Sequence, residues 1–298
     1  MPIAPSELIL NPDGSVYHLH LRPQDIADTI ITVGDPDRVD TVTSHFETVR
    51  FTTQKREFKT STGTYKGKEI SVISTGIGTD NIDIVFNELD ALVNIDLETR
   101  KIKDTHTRLD IVRIGTSGSI QSNIPVDSFL MSTLAIGLDA LIHFYDSKHI
   151  QHSEIQKAFM KHMNWSEAKS EPYVVGCDSA FAKAFHSQDI QLGFTATNIG
   201  FYGPQGRVLR LTTSDPDMNV KLASFYCTDP SKETTTQLPI TNLEMETAGI
   251  YGMAKLLGHR AVSLNAILAN RATNTFSKTP NATVKRLIQY TLDCLVNE

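Results

Sequence analysis

Residues 111–119 are Ile-Val-Arg-Ile-Gly-Thr-Ser-Gly-Ser, and the rest of the chain can be organised around them. They begin as a short apolar strand with β-branched side chains, which carries Arg113 into a segment rich in glycine and serine. A guanidinium in a buried strand needs a partner, so Arg113 either pairs with a carboxylate or faces a bound anion. The glycines and hydroxyl side chains from Gly115 to Ser119 predict a turn with converging N–H groups, which favours the anion.

Composition narrows the class of protein. The chain has 298 residues, 28 of them basic and 34 acidic, a formal net charge of -6 and an apolar share of 40%. The acidic balance argues against nucleic acid as a partner. Cys177, Cys227 and Cys294 form no zinc or disulfide-framework spacing. No segment has the roughly 18 apolar residues of a membrane span, and residues 1–10 lack a signal-peptide pattern, so we expect a cytoplasmic protein with no membrane partner.

The first clear strand is Thr29–Val33, and the sequence after it is Gly-Asp-Pro-Asp-Arg-Val at 34–39. This order predicts a strand, a glycine turn and a helix in which Asp35 is the N-cap and a proline takes the first position. Arg38 then lies in the first helical turn, where the helix dipole disfavours a cation unless an anion is bound there. The alternative is an ordinary solvated arginine.

The later sequence repeats this alternation. Helical periodicity follows the glycine turn at 76–78, and a further helix is predicted to begin with Asn242 as its N-cap and to end at Gly258. Glu244 and Glu246 would then lie in its first turn, where helix capping alone could explain both. Alternating strands and helices predict an α/β protein whose site lies at the carboxyl ends of the strands. We expect one domain over residues 1–298, with an irregular arm at 1–15 and a lid or insertion at 212–237.

Several motifs occur together in order, and their combination resembles the nucleoside phosphorylase family of the purine and uridine phosphorylase type. They are Tyr-His-Leu at 17–19, Gly-Asp-Pro-Asp-Arg-Val at 34–39, Arg-Glu-Phe at 56–58, Ser-Thr-Gly-Ile-Gly at 74–78, Arg-Ile-Gly-Thr-Ser-Gly at 113–118, Phe-Tyr-x-x-Gln-x-Arg at 201–207 and Glu-Met-Glu at 244–246. The resemblance implies a mixed sheet, distorted and barrel-like, flanked by helices. It also implies phosphorolysis of uridine to uracil and ribose 1-phosphate, with inorganic phosphate as co-substrate and no organic cofactor.

The resemblance assigns each candidate residue a role. The phosphate site would consist of Gly34, Arg38, Arg56, Arg113 and Thr116, and the ribose site of His18, Glu244, Met245 and Glu246. The base site would consist of Phe201, Gln205, Arg207 and Arg271. The residues expected to act in catalysis are Arg113, Gln205, Arg207 and Glu246. His18 and Arg56 would come from a neighbouring subunit, where His18 would bind the ribose 5′-hydroxyl. This implies at least a homodimer and allows a hexamer.

Three other functions stay open at this point. In a nucleosidase of the same fold, water would replace phosphate. A purine nucleoside phosphorylase is disfavoured because the segment 269–272 is Ala-Asn-Arg-Ala, where purine-cleaving relatives carry an aspartate. A nucleotide-sensing protein without activity is the third. Some family members also hold a potassium ion with a glutamate, an isoleucine carbonyl and a serine; Glu57 and Ile77 match, but Asn81 replaces the serine.

Overall fold

The computed structural model describes residues 1–228, 230 and 237–298. Its strands are β1 (Thr29–Val33), β2 (Thr48–Lys55), β3 (Phe58–Tyr65), β4 (Lys68–Ser74), β5 (Ile95–Asp96), β6 (Lys101–Ile102), β7 (Asp110–Ser119), β8 (Phe129–Gly137), β9 (Tyr173–Gly176), β10 (Ile190–Thr197), β11 (Tyr226–Thr228), β12 (Gln237–Glu244), β13 (Arg260–Asn270) and β14 (Thr275–Phe276). Its α-helices are α1 (Pro36–Thr43), α2 (Thr79–Asn94), α3 (Ser153–Met163), α4 (Ser179–Ala182), α5 (Met218–Ala223), α6 (Thr247–Leu257) and α7 (Pro280–Val296). Short 3-10 helices lie at Pro23–Asp25, Leu141–Phe144, Lys148–Ile150, Lys183–Phe185 and Gly203–Gln205.

The main sheet is mixed, and part of it closes on itself. Its strand order is β11-β12-β10-β8-β13-β7-β1-β4-β3-β2, and β12 also pairs with β7. That extra antiparallel pairing, through Asn242 and Leu243, joins β12, β10, β8, β13 and β7 into a ring. Irregular register within β10 and β13 bends the ring. The predicted mixed sheet with a distorted barrel is therefore confirmed.

Helices cover both sides of this sheet because their apolar faces complete its core. Phe86 of α2 packs with Tyr251 of α6 in one buried cluster, and Val42 of α1 packs with Leu287 of α7 in a second. Burying one such large apolar side chain contributes roughly 1.5–3 kcal/mol, so these clusters hold the helices in place. Among the described residues, no helix is both long and apolar enough to cross a membrane.

The strand, turn and helix at residues 29–43 form as predicted. The Asp35 side chain accepts a hydrogen bond from the backbone N–H of Asp37, and Pro36 takes the first helical position. Helix α2 follows the glycine turn at 76–78, again as predicted. Each turn places the start of a helix at the edge where the parallel strands β1 and β4 end.

The predicted turn at Gly115–Ser119 is wrong. Strand β7 continues to Ser119 and pairs with β13 along this whole stretch. The glycine at 115 makes room for a side chain: a Cβ there would lie 1.9 Å from Nη1 of Arg113. Gly115 is therefore explained by the guanidinium that packs against the same strand, and not by a turn.

The predicted helix start at Asn242 is also wrong. Asn242 lies within β12, and its buried side chain binds Thr195 and Ser117 of the neighbouring strands. Helix α6 begins five residues later, at Thr247. Sheet hydrogen bonds here outweigh the local preference of asparagine for a helix N-cap.

The sequence also predicted an irregular arm at 1–15 and a lid or insertion at 212–237. Residues 1–15 contain turns and one isolated bridge between Leu10 and Val16. Within 212–237, which we expected to be a lid or insertion, the structure contains α5 and β11. Residues 229 and 231–236 of that prediction lie outside the described residues.

Candidate active site

A cavity of about 780 Å³ opens where β1, β4 and β12 end. Ten of the residues predicted to bind phosphate, ribose or base line it: Gly34, Arg38, Arg113, Thr116, Phe201, Gln205, Arg207, Glu244, Met245 and Glu246. The three residues considered for a cation, Glu57, Ile77 and Asn81, line it as well. His18, Arg56 and Arg271 do not belong to its lining. Side chains from sequence positions far apart thus meet in one space.

Arg113 is the centre of the polar wall. It is only 7% exposed, and its Nη2 donates to Glu246 at 2.6 Å and lies 3.1 Å from Glu244. Nη1 donates to the side-chain oxygen of Asn265 at 3.0 Å. Burial lowers the pKa of Arg113, but the charges of Glu244 and Glu246 outweigh burial and raise its pKa above the ordinary value. The sequence allowed either a carboxylate or a bound anion as the partner of Arg113. The structure contains the carboxylates, and the same guanidinium also lines the cavity.

Glu246 connects two sides of the cavity. One carboxylate oxygen binds Arg113, and the other accepts a hydrogen bond of 2.9 Å from the backbone N–H of Gly78, at the start of α2. Burial raises the pKa of Glu246, while Arg113 opposes this shift and Glu244 adds to it. Because Glu246 is 6% exposed and lines the cavity, a ligand hydroxyl that reaches it meets an oriented acceptor.

Glu244 has a different arrangement. Its Oε2 accepts hydrogen bonds from the backbone N–H groups of Glu246 and Thr247 at 3.0 and 2.9 Å, and from the Thr247 hydroxyl at 2.8 Å. Its Oε1 accepts a bond of 2.6 Å from the hydroxyl of Thr197. Glu244 therefore caps helix α6 and holds Arg113, so most of its hydrogen-bonding capacity is used within the protein.

The first turn of α1 supplies a second cation to the cavity lining. Arg38 is partly buried, and its Nη1 donates to the carbonyl of Ile114 at 3.4 Å. Burial and the positive charge of Arg113 lower the pKa of Arg38, and Asp35 and Glu246 oppose this. The guanidinium groups of Arg38 and Arg113 thus repel each other beside the N-terminus of α1. A bound anion would reduce this repulsion.

The loop at 201–207 forms the other end of the cavity. The guanidinium of Arg207 stacks 3.8 Å from the centre of the Phe201 ring and donates to Oε1 of Gln205 at 2.5 Å. Gln205 is 2% exposed. Arg271 binds the backbone carbonyls of Gln205 and Gly206, so it holds the loop rather than lining the cavity. A flat aromatic face beside an amide and a guanidinium suits a planar ring with hydrogen-bonding edges.

His18 and Arg56 lie on a surface outside this lining. Arg56 is exposed in the two-residue turn between β2 and β3, with a positive φ of 56°. A non-glycine residue with a positive φ is conformationally strained, and the interactions of the surrounding hairpin have to compensate for that strain. The ring of His18 lies edge-on to Phe58, two residues after Arg56. The two residues therefore share one surface.

The residues considered for a cation are close together. The Asn81 amide nitrogen donates to Oε1 of Glu57 at 3.2 Å, beside Gly76 and its positive φ of 70°. To ligate a cation together with the Glu57 carboxylate, this amide would have to present its oxygen to the ion in place of its nitrogen. Among the described residues, no group of three or more histidine, cysteine, aspartate or glutamate side chains is arranged to hold a metal ion.

Sequence reasoning missed the residues that hold the site in place. Ser263 and Asn265 of β13 contact Arg113 at 3.4 and 3.0 Å, Gly78 binds Glu246, and Thr197 binds Glu244. A signal was present for two of them. Ser263 and Asn265 are two residues apart in an otherwise apolar strand, so they face the same side and require a polar partner.

Comparison with known proteins places this arrangement in a family. The model of the phosphorylase superfamily matches residues 28–295. The chain belongs to the phosphorylase superfamily. It is a nucleoside phosphorylase and therefore a pentosyltransferase.

Relatives within this superfamily act on different bases. Uridine phosphorylase of Thermococcus kodakarensis is 30% identical over 266 residues, which cover 89% of this chain and 81% of the relative. A nucleoside phosphorylase of Trypanosoma brucei, described as showing uridine phosphorylase activity, has a solved structure with a TM-score of 0.86 and 29% identity. That match covers 98% of this chain and 100% of the other. A DeoD-type purine nucleoside phosphorylase of Shewanella loihica is 26% identical, covering 94% of this chain and 98% of the relative.

Proposed function

We propose that this phosphorylase cleaves uridine with inorganic phosphate, giving uracil and ribose 1-phosphate in pyrimidine nucleoside salvage. The observation that carries the choice of base is the loop at 201–207, where Gln205 and Arg207 meet beside the ring of Phe201. An amide and a guanidinium suit the oxygen and N–H edge of uracil. The neighbouring segment Ala269–Ala272 offers no acid to protonate a purine.

The proposed reaction needs little covalent chemistry from the protein. Phosphate bound between Arg38, Arg113, Gly34 and Thr116 attacks the anomeric carbon as the bond to the base breaks, through a cation-like sugar. Glu246 orients the ribose hydroxyls with the backbone of Met245 beside it. Uracil departs as an anion, which Arg207 stabilises before solvent supplies the proton.

Phosphate binding changes the position of Arg113 in this proposal. Its Nη2 is shared between Glu244 and Glu246, at 3.1 and 2.6 Å. A phosphate dianion competes for the same guanidinium, and a ribose hydroxyl then donates to the released oxygen of Glu246. The two substrates thus complete each other's sites.

The test is base release from uridine and from inosine, each with and without phosphate. We expect uracil from uridine only when phosphate is present. Release without phosphate would replace the proposal with a nucleosidase. Preference for inosine would support the second candidate, a purine nucleoside phosphorylase, which the Shewanella loihica relative favours.

We also propose a homodimer as the minimal unit, in the cytoplasm, with His18 and Arg56 completing the neighbouring subunit's site. The support is that both residues lie outside the cavity lining and share one surface. Arg56→Ala and Arg207→Ala would each be inactive alone. In a mixed dimer one of the two sites regains every residue, so a random mixture should recover about a quarter of wild-type activity.

A matched mixture gives the control. Arg56→Ala mixed with His18→Ala places both defects on residues donated to the neighbour, so no site is restored. Activity in that mixture should stay at the mean of the two variants. Equal recovery in both mixtures would contradict shared sites.

A potassium ion held by Glu57, the carbonyl of Ile77 and Asn81 remains part of the proposal, and Glu57 and Asn81 already contact each other. Replacing potassium with a large organic cation would then lower both activity and Tm. No change in either would remove the ion from the proposal.

A further inference from the structure

The carboxylate of Glu88, in α2, binds the segment that carries His18. Its oxygens accept hydrogen bonds from the backbone N–H of His18 at 2.9 and 3.0 Å, and from that of Leu19 at 2.7 Å. Its Oε1 also lies 2.7 Å from Nδ1 of the His18 ring. One carboxylate, only 14% exposed, therefore fixes the backbone and the ring of the same residue.

Two aromatic side chains also contact the ring of His18. It lies edge-on to Tyr17, with ring centres 4.8 Å apart, and edge-on to Phe58 at 6.4 Å. The carbonyl of Tyr17 accepts a hydrogen bond of 2.5 Å from Lys55, the residue before Arg56. The segment with His18 is thus hydrogen-bonded to the strand that leads into the turn with Arg56.

This geometry determines what His18 can offer to a ligand. A carboxylate accepts only, so Nδ1 carries the hydrogen in its contact with Glu88. Nε2 on the other side of the ring has no hydrogen-bond partner among the described residues, and the side chain is 27% exposed. The ring therefore presents one oriented nitrogen outward.

We propose that Glu88 is a positioning residue for nucleoside binding. It orients His18 and keeps the hydrogen on Nδ1, so that Nε2 accepts a hydrogen bond from the 5′-hydroxyl of the nucleoside in the neighbouring subunit's site. Glu88 itself touches no substrate. A carboxylate that orients a histidine through its second nitrogen is a common way to fix the tautomer of a binding imidazole. The inference rests on the proposed function, because it needs a nucleoside in that site.

The experiment compares uridine with 5′-deoxyuridine, which lacks only the hydroxyl in question. In Glu88→Gln the single amide oxygen cannot replace two carboxylate oxygens that hold three N–H groups. We expect kcat/KM for uridine to fall about tenfold, as for loss of one oriented hydrogen bond, and kcat/KM for 5′-deoxyuridine to stay within about twofold. His18→Ala should remove the same preference, and combining the two substitutions should add nothing. Glu154→Gln removes an equal charge from an exposed position on α3 and should behave as wild type.

Each outcome decides between the alternatives. An equal fall with both substrates would show a purely structural role for Glu88 and overturn the inference, as would no change with either. Wild type that releases no uracil from uridine in the presence of phosphate would instead overturn the proposed function. Nitrogen NMR of the wild-type imidazoles, assigned with His18→Ala, is independent of how Glu88→Gln folds. Hydrogen on Nδ1 of His18 is expected, and hydrogen on Nε2 alone would contradict the inference.

Discussion

At the scale of single residues, Arg113 combines a structural ion pair with the role in phosphate binding that we propose for it. Buried charges are costly, and removal of one partner from a buried ion pair typically costs about 3–5 kcal/mol. Arg113 with Glu244 and Glu246 is such a group, and it lines the cavity. Substitution of Arg113 itself would therefore change both the stability of the protein and the proposed phosphate binding. Gly115 lies against the guanidinium, so a substitution there is a more specific test.

Gly115→Ala should displace the guanidinium of Arg113 without removing it. The new Cβ would lie 1.9 Å from Nη1 and 2.4 Å from Cζ of Arg113. We expect KM for phosphate to rise about tenfold or more, because one oriented, charged hydrogen-bond donor moves away. Gly176→Ala is the control, since its Cβ would meet Leu134 and Thr133 at an ordinary 3.5 Å. Unchanged phosphate kinetics in Gly115→Ala would argue against a phosphate role for Arg113.

Arg207→Ala should lose most activity on uridine while the fold survives. Its guanidinium is expected to stabilise the departing uracil, and loss of one such donor typically lowers kcat by about a hundredfold or more. Arg207→Lys retains the charge but lacks the planar fork, so it should recover only part of the rate. Steady-state kinetics and Tm check this against Arg210→Ala, an exposed arginine three residues further along the chain. Wild-type turnover in Arg207→Ala would contradict the proposed base site.

At the scale of elements, local and non-local control of structure can be separated. The strand, turn and helix at 29–43 were predictable because the β-branched run, the N-cap Asp35 and Pro36 all act within a few residues. The start of α6 was not. Asn242 prefers an N-cap in isolation, but its partners Thr195 and Ser117 come from distant strands that no local pattern reveals.

Glu244→Ala should destabilise the start of α6. The substitution leaves two backbone N–H groups and the Thr247 hydroxyl without their acceptor. Loss of a helix cap with a charged acceptor typically lowers the free energy of unfolding by about 1–3 kcal/mol, and loss of one of the two carboxylates paired with Arg113 adds to this. Urea unfolding measures this, with Glu154→Ala as an exposed control. Wild-type stability would mean that Glu244 is primarily a ribose ligand and not a cap.

Asp139 ties the end of β8 to β9 and to the 3-10 helix at Leu141–Phe144. It accepts hydrogen bonds from the Tyr173 hydroxyl and from the backbone N–H of Leu141. Burial raises its pKa above the ordinary value of 3.8, and these two bonds only partly oppose it. With a raised folded pKa, the contribution to stability is full below pH 3.8 and is lost as pH rises through the folded pKa.

Asp139→Asn stays neutral at every pH, so its stability relative to wild type should improve as the pH rises from about 4 to about 8. Urea unfolding of both proteins at the two pH values tests this. A difference that is constant, or that shrinks with pH, would contradict a raised pKa for Asp139.

At the scale of the whole molecule, the closed part of the sheet brings the site together. Glu246 follows β12, Arg113 lies in β7 and Asn265 lies in β13, three strands of the same ring. The sequence could identify polar candidates at strand ends, and the resemblance to the family assigned thirteen residues to phosphate, ribose and base. Ten of these thirteen line one cavity. Helix capping was one explanation for both glutamates, but the sequence could not show that Glu244 caps α6 while Glu246 binds Arg113, because that depends on distances between distant segments.

In the reaction that we propose, phosphate and not water accepts the ribose. The most direct measurement follows uridine, uracil, phosphate and ribose 1-phosphate in one reaction with purified enzyme. We predict one phosphate consumed and one ribose 1-phosphate formed for each uracil released, and no uracil when phosphate is omitted. Uracil release with free ribose and no consumption of phosphate would contradict the account and remove the anion role from Arg38 and Arg113.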